Sequence, residues 1–435
     1  MSEDFLHYIW KHRLFKSSNL ETTGGEKISV EHPGTHNTDA GPDFFNARIK
    51  IGSTLWAGNV EIHQRSSDWQ KHFHHTDKEY DNIILHVVEE HDEELKRKDN
   101  SSVPTLELKN RIEKLYIDNY DRLINSRNKI LCEKQISSVG NFTIDHWLER
   151  MLVERLERKS KDIFRMLEQN KNNWEETFYF LIARNFGFKL NAQPFEELAR
   201  SLPLSALAKH RNDLPQIEAM LFGQAGMLSA TGRTRMGEEK KFTEEYPAAL
   251  KKEFDFLTSK FKFENKVSSP WKFLRLRPAN FPTIRIAQFA QLVHNSSHLF
   301  SKILECSTTK QVKKLFDVSV SDYWKSHYTF EKKSQHREKH LGEVAVENII
   351  INTVAPLIFS YGMNRHDEAL KERATSFLEQ VSPEKNSIIT KWESLGIGAD
   401  NSFRTQALLE LFNEYCSKKK CLTCGIGNKL IAAKT

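Results

Sequence analysis

The chain has 435 residues, 39% of them hydrophobic and 28% charged, with a net charge of +6 and a pI near 8.8. This is the profile of a soluble globular protein of two or three domains, compatible with a polyanionic partner without requiring one. Five cysteines, three of them near the C-terminus, make no secreted disulfide framework, the N-terminus carries no signal-peptide pattern, and no apolar run approaches the roughly 20 residues of a membrane helix, so the expected location is the cytoplasm.

Phe5, Leu6, Ile9, Trp10 and Phe15 predict an N-terminal helix with one apolar face. Lys27 to Val30 is a short strand, and a polar Gly/Pro-rich loop follows from Glu31 to Asp43. Phe45, Ala47, Ile49 and Ile51 alternate with polar residues, which predicts a half-buried strand. After a Gly52-Ser53 turn, a strand from Leu55 to Gln64 carries Val60 and Ile62 on one face and Glu61 and His63 on the other. Residues 66–79 are polar and predict a helix. Asn82 to Val88 is an apolar strand, and Thr105 to Leu108 is another. Beyond residue 110 the texture is helical: Trp147, Met151, Leu152, Leu156, Ile163 and Leu167 follow a 3.6-residue period. Breaks at Ser201–Pro203 and Ser268–Pro270 punctuate the helices, and residues 385–415 are again amphipathic. The expected fold is α+β, with an α/β domain over residues 1–115, a helical domain over 116–400, and a C-terminal helix with a cysteine cluster over 401–435.

The chemistry concentrates near the N-terminus. Pro42-Asp43 opens one strand and Glu61-Ile62-His63 lies on the next. Two carboxylates on neighbouring strands can hold a hard cation, Mg²⁺ or Mn²⁺, which polarises a phosphate and acidifies the attacking water. Asp43 shares the parity of Phe45, Ala47 and Ile49, so a kink at Pro42 must re-aim it to bring it to Glu61. His32, His36 and Asp39 in the preceding loop are supplementary metal ligands. Seven of the 18 histidines fall within residues 32–86. The plainer reading of His72, His74 and His75 is a solvated helix face, and that of His86 a core histidine. A zinc or iron hydrolase site built from this cluster is the alternative.

This arrangement resembles the PD-(D/E)xK nuclease superfamily, whose core runs helix, three-stranded meander, helix, strand, with the Asp entering the second strand and the (D/E)xK on the third. The resemblance covers about 90 residues and departs from the pattern in placing His63 where the family has Lys. It implies divalent-metal-dependent hydrolysis of DNA or RNA, with Asp43, Glu61 and His63 as the catalytic residues. The strings HPGTHNTDAGPDF, WAGNVEIH, LFGQAGML, RLRPANFPTIRIAQ and YCSKKKCLTCGIG together resemble a second family, the bacterial, Bacteroidetes-type domain of unknown function 2851. That likeness covers nearly the whole chain and implies no particular activity.

Two further motifs stand out. Cys416, Cys421 and Cys424 form C-x4-C-x2-C, a spacing suited to zinc or an iron–sulfur cluster in a structural role. A fourth ligand could come from Cys132, Cys306 or a histidine, and Cys132 is the one favoured. Some helicase-associated PD-(D/E)xK nucleases are stapled in a similar way. Arg275, Arg277 and Arg285 lie in a Pro/aromatic-rich segment and could clamp the phosphates of DNA or RNA, or satisfy helix ends and buried carboxylates. Arg233, Arg235, Lys240 and Lys241 form a second basic stretch, read as a solvated face. Beside the nuclease stand two alternatives: a non-catalytic nucleic-acid-binding or scaffold protein, and a small-molecule metallohydrolase using the histidines.

Overall fold

The computed structural model describes residues 1–97, 101–228, 242–263 and 267–434, with the side chain of His75 and the basic stretch Arg233, Arg235, Lys240 and Lys241 outside that description. The fold is α+β, a mixed sheet with helices followed by a largely helical region. Two compact units are present: Met1–Leu148 together with Leu411–Thr435, and Glu149–Glu410.

In the first unit, helix α1 (Glu3–Lys11) buries Phe5, Leu6, Ile9 and Trp10 and packs against the sheet at β4. The strands are β1 (Ile28–His32), β2 (Thr35–His36), β3 (Phe44–Ile51), β4 (Thr54–Arg65), β5 (Ile83–Glu90) and β6 (Thr105–Glu107). They lie in the order β1-β3-β4-β5-β6, with β2 also on β3. The β1–β3 and β3–β4 pairs are antiparallel, and β4–β5 and β5–β6 are parallel. The two-residue Gly52-Ser53 turn permits the first arrangement. A parallel neighbour needs a crossover, which residues 66–82 supply.

The β3–β4 register holds one irregularity that decides the site. Ala47 faces Gly58, but Phe44 faces Val60, so β3 carries an extra residue between them. Asn46 absorbs it with φ of +57°, a conformation that Asn tolerates better than most residues. The bulge inverts the parity of everything before it: Phe44, not Phe45, joins Ala47, Ile49 and Ile51 in the core. The re-aiming of Asp43 is therefore done by a bulge at Asn46.

The crossover differs from the expected helix over 66–79. Helix α2 spans only Asp68–Lys71, followed by single turns at His74–Thr76 and Lys78–Tyr80. Phe73, solvent-exposed and left-handed at φ of +62°, stops the helix and reverses the chain. The C-terminal segment docks in this same unit. Asn119, on α3 (Lys114–Ile124), donates to the carbonyls of Ile431 and Ala433, both at 3.2 Å, and Tyr8 Oη donates to that of Asn428 at 3.2 Å.

Helix α4 (Asn141–Gln169) carries the chain into the second unit. The expected break near Ser201–Pro203 separates Phe188–Ser201 from Leu204–Lys209, whereas residues 385–415 form two helices, Ser387–Ser394 and Ser402–Glu410, before a wide turn at Leu411–Cys416. A small hairpin, β7 (His327–Thr329) with β8 (Lys332–Lys333), had no sequence signal strong enough to predict it. The stretch Glu343–Arg365 is long and apolar enough by length and composition to cross a membrane, which the short run from Val354 to Phe359 alone did not suggest. Of its apolar window, 72% is buried, as in the core helix of a helical unit.

This core encloses the carboxylate of Glu218. Glu218, on helix Leu214–Gln224, is fully buried and accepts hydrogen bonds from Tyr246 Oη and, at 2.9 Å, from Ser321 Oγ. Burial lifts its pKa from 4.5 to about 7 in spite of those bonds. The folded state therefore holds the proton more tightly than the unfolded chain. The resulting stabilisation is full below pH 4.5 and is lost as pH rises through 7. Urea denaturation at pH 5 and pH 8 is expected to show a loss of roughly 2–3 kcal/mol from this group in the wild type. Glu218→Gln should abolish that component; an unchanged difference between the two pH values would refute it.

Candidate metal centre

Glu61 and His63 project from one face of β4, two residues apart, and the parallel register sets His86 of β5 beside Glu61. With the bulge in place, Asp43 comes opposite Glu61. The Asp43 backbone N–H donates to Glu61 Oε2 at 3.2 Å, and the Ile62 N–H donates to Asp43 Oδ2 at 2.8 Å. His7 from α1 reaches the same Asp43 oxygen, Nε2 to Oδ2, at 3.2 Å.

Imidazoles fill the rest. His63 Nδ1 lies 2.8 Å from His86 Nε2, and His63 Nε2 lies 3.1 Å from His72 Nδ1. His74 Nε2 is 3.2 Å from Glu61 Oε1, which is 3.7 Å from His63 Nε2. The left-handed turn at Phe73 lets His72 and His74, on either side of it, both face His63. One ligand nitrogen from each of His63, His72 and His74 lies within 4.8 Å of the other two, so the trio could hold a metal ion. It grades from buried His63 to exposed His72, which opens the site to solvent. Tyr80 packs against His74 with ring centroids 3.9 Å apart, and Trp69 stands 5.4 Å from the His86 ring.

Burial, then the charge of Asp43, drives the Glu61 pKa well above the usual carboxylate range. Burial, then His74 and His72, pushes His63 down to about 3, and burial lowers His86 and His74 as well. These imidazoles are neutral at physiological pH, which is the protonation state a metal ligand needs. His7 goes the other way: burial opposes its charge, but the contact with Asp43 and the nearby Glu3 and Asp4 outweigh it.

Of the residues expected from sequence, Asp43, Glu61 and His63 come together. His36 stands nearby, its ring 5.5 Å from that of His7 and 5.0 Å from that of Phe44. His32 accepts from the Gly34 N–H of its own loop, and exposed Asp39 is held by its backbone N–H on Asn37 Oδ1 at 2.9 Å; no described contact joins either to the carboxylates. The sequence reading missed Glu3 and His7, whose signal is a polar i, i+4 pair on an otherwise buried helix, and gave His72 and His74 a solvated face as the plainer reading beside a metal site built from the cluster.

All five cysteines are free thiols. Cys306, in the second unit, donates to its own helix at Lys302 O. Cys132 precedes the turn Ile136–Ser138, against which helix Gly425–Ile431, capped by Cys424, packs. Gly427 is required there, since a Cβ would fall 2.3 Å from the Cys421 carbonyl oxygen. Burial and then the neighbouring thiols Cys424 and Cys421 push Cys132 up to about 12. Among the described residues, these sulfurs do not close into a group with the spacing of the imidazole trio. Arg275 and Arg277 are exposed, whereas Arg285 is buried on helix Pro282–Asn295, bonded to Gln288 and Asn280 and lying over the Phe188 ring at 4.7 Å.

A mixed sheet bearing a carboxylate pair, Glu61 buried and Asp43 half-buried, and a trio of imidazoles thus defines an α+β protein with a candidate metal centre. The chain belongs to the family described as "Protein of unknown function (DUF2851)", which matches residues 3–387. No curated protein and no solved structure matches it.

Titration with Zn²⁺ or Mn²⁺, read by calorimetry and elemental analysis, is expected to give one ion per chain at this trio. His72→Ala should abolish stoichiometric uptake, and His86→Ala, which removes the partner of His63 Nδ1, should weaken it about 10–100-fold. Uptake unchanged in His72→Ala would exclude the trio.

Proposed function

We propose that the first unit is a divalent-metal-dependent phosphodiesterase, a nuclease acting on DNA or RNA. The observation that carries this reading is the convergence of Asp43, Glu61 and His63 on adjacent strands at the mouth of the histidine cluster. The element order of helix, antiparallel meander, crossover and parallel strand supports a likeness to the PD-(D/E)xK plan. Three imidazoles suit zinc or iron, the two carboxylates admit manganese, and magnesium would be confined to the carboxylate oxygens. His63 would bind through Nε2 while its Nδ1–H donates to His86, which fixes its tautomer. A metal there supplies Lewis-acid polarisation of the phosphate and an acidified water. Asp43 and Glu61 would orient a water there, and the His7 contact would hold Asp43 in place. Exposed Arg275 and Arg277 are available to phosphates; Arg285 is spent on its own helix. The imidazole trio also favours a second reading, a metallohydrolase of small substrates.

Within the same proposal, Cys132, Cys416, Cys421 and Cys424 carry a structural zinc or iron–sulfur centre. The packing of the Cys424 helix on the Cys132 turn supports it, and the free thiols suit the cytoplasm. Purification under reducing, anaerobic conditions is expected to yield bound zinc, or iron with sulfide, that Cys424→Ser loses together with thermal stability. Metal-free wild type of equal stability would remove this centre.

Cleavage assays on single- and double-stranded DNA and RNA with Mn²⁺, Zn²⁺ or Mg²⁺ test the enzyme. Activity should fall by at least about 10²-fold in folded Asp43→Ala and Glu61→Ala. No cleavage with any metal, but nucleic-acid binding intact in both variants, would point to a non-catalytic binding protein. Absence of binding as well would leave the small-substrate hydrolase.

A further inference from the structure

The helical unit contains a cavity of about 960 Å³ with an uneven charge balance. Lys159, Arg165, Arg184, Lys189 and Arg200 line it, against the carboxylates of Asp162 and Glu196. Asp162 is taken by Arg165 at 3.1 Å, and Glu196 is shared between Arg184 and Arg200. Five cations thus face two acids, and both acids are already engaged.

The wall behind is more telling. Arg155 is buried at 5% exposure, and its Nη1 is fully buried with no hydrogen-bond partner. Its Nη2 donates to Asn352 Oδ1 at 3.3 Å, and Lys159 Nζ donates to that same oxygen at 3.2 Å. Glu410, whose charge acts on both, is held bidentately by Arg158 at 2.9 and 2.6 Å. Among the described residues neither Arg155 nor Lys159 has an ion-pair partner, and one amide oxygen serves both. Burial, then Arg155 and Arg158, pushes the Lys159 ammonium down to about 7. Uncompensated buried cations are costly, and proteins keep them where an anion repays the cost. Asn352 sits in a widened π-turn, Ile350–Val354, that interrupts the core helix; such turns recur at functional sites.

We propose that this cavity binds the phosphate group of a small molecule of nucleotide size. A surplus of three positive charges exceeds what a single carboxylate neutralises and fits a phosphate dianion. The guanidinium and ammonium donors match its oxygens, with the side-chain amides of Asn185 and Asn352 beside them. Ile163, Met166, Leu181 and Phe188 give the same cavity an apolar side for a base or other ring, and its volume lies at the upper end for small-molecule sites. The site is independent of the metal centre and of any reading of it.

Calorimetric titration of the full chain at constant ionic strength with inorganic phosphate, AMP and a short single-stranded oligonucleotide tests this. AMP is expected to bind saturably and phosphate more weakly, with Lys159→Met at least tenfold weaker for both. Asn352→Asp, which gives Arg155 and Lys159 a carboxylate of their own, should lose AMP binding while its thermal midpoint stays at or above wild type. No saturable binding of any probe, or AMP binding unchanged in both variants, overturns the proposal. Binding of the oligonucleotide without AMP also overturns it, in favour of a strand-binding surface.

Discussion

The first unit depends on one extra residue in one strand. A regular β3 would send Asp43 to the same side as Phe45, and a carboxylate would then face the apolar core. The bulge at Asn46 turns Phe44 inward and Asp43 toward Glu61. That single register shift decides which side chains meet. It also sets the electrostatics, because burial and the charge of Asp43 raise the cost of charging Glu61 more than the Asp43 N–H hydrogen bond lowers it. The neutral imidazoles around them follow from the same burial.

Much of this was legible from the residues. The alternation of β3, the two-residue turn and the Glu61/His63 parity in β4 are local signals, and local signals survive folding. The five expected strands accordingly fall within a few residues of their positions, while β2 lies in the stretch expected as loop. The crossover did not, because its conformation is set by contacts that no period encodes: a left-handed Phe73, a cap from Asp77, and imidazoles drawn inward by a neighbouring strand. His72 and His74 look like surface residues in a polar run, and only the parallel pairing of β4 and β5 makes them part of a site. Glu3 and His7 were hidden for the opposite reason, as two polar positions in a helix dominated by its apolar face. Arg285 shows the limit of composition: an arginine in a basic, aromatic segment is here a buried strut.

Both units bury polar groups whose capacity is only partly used inside the chain. His86 Nδ1 and Trp69 Nε1 near the imidazoles, and Arg155 Nη1 beside the cationic cavity, are enclosed without a hydrogen-bond partner. Native interiors leave few such atoms, and each carries a free-energy cost. The two sites differ in sign. One gathers lone pairs and carboxylates and suits a cation; the other gathers ammonium and guanidinium groups and suits an anion.

The division of the chain has a consequence for the order of events during synthesis. The sheet unit is made of residues 1–148 and 411–435, so the helical unit is inserted into it and leaves the ribosome complete while its host still lacks a segment. The carbonyls that Asn119 and Tyr8 bind, and Cys416, Cys421 and Cys424, lie in that last stretch. Sequential, N-terminus-first folding is therefore not open to the sheet unit as a whole. The contacts of Asn119 and Tyr8 must wait for a tail separated from them by more than two hundred residues of the helical unit. A chain truncated shortly before Leu411 would contain every residue of the imidazole cluster and still lack the segment that Asn119 and Tyr8 bind.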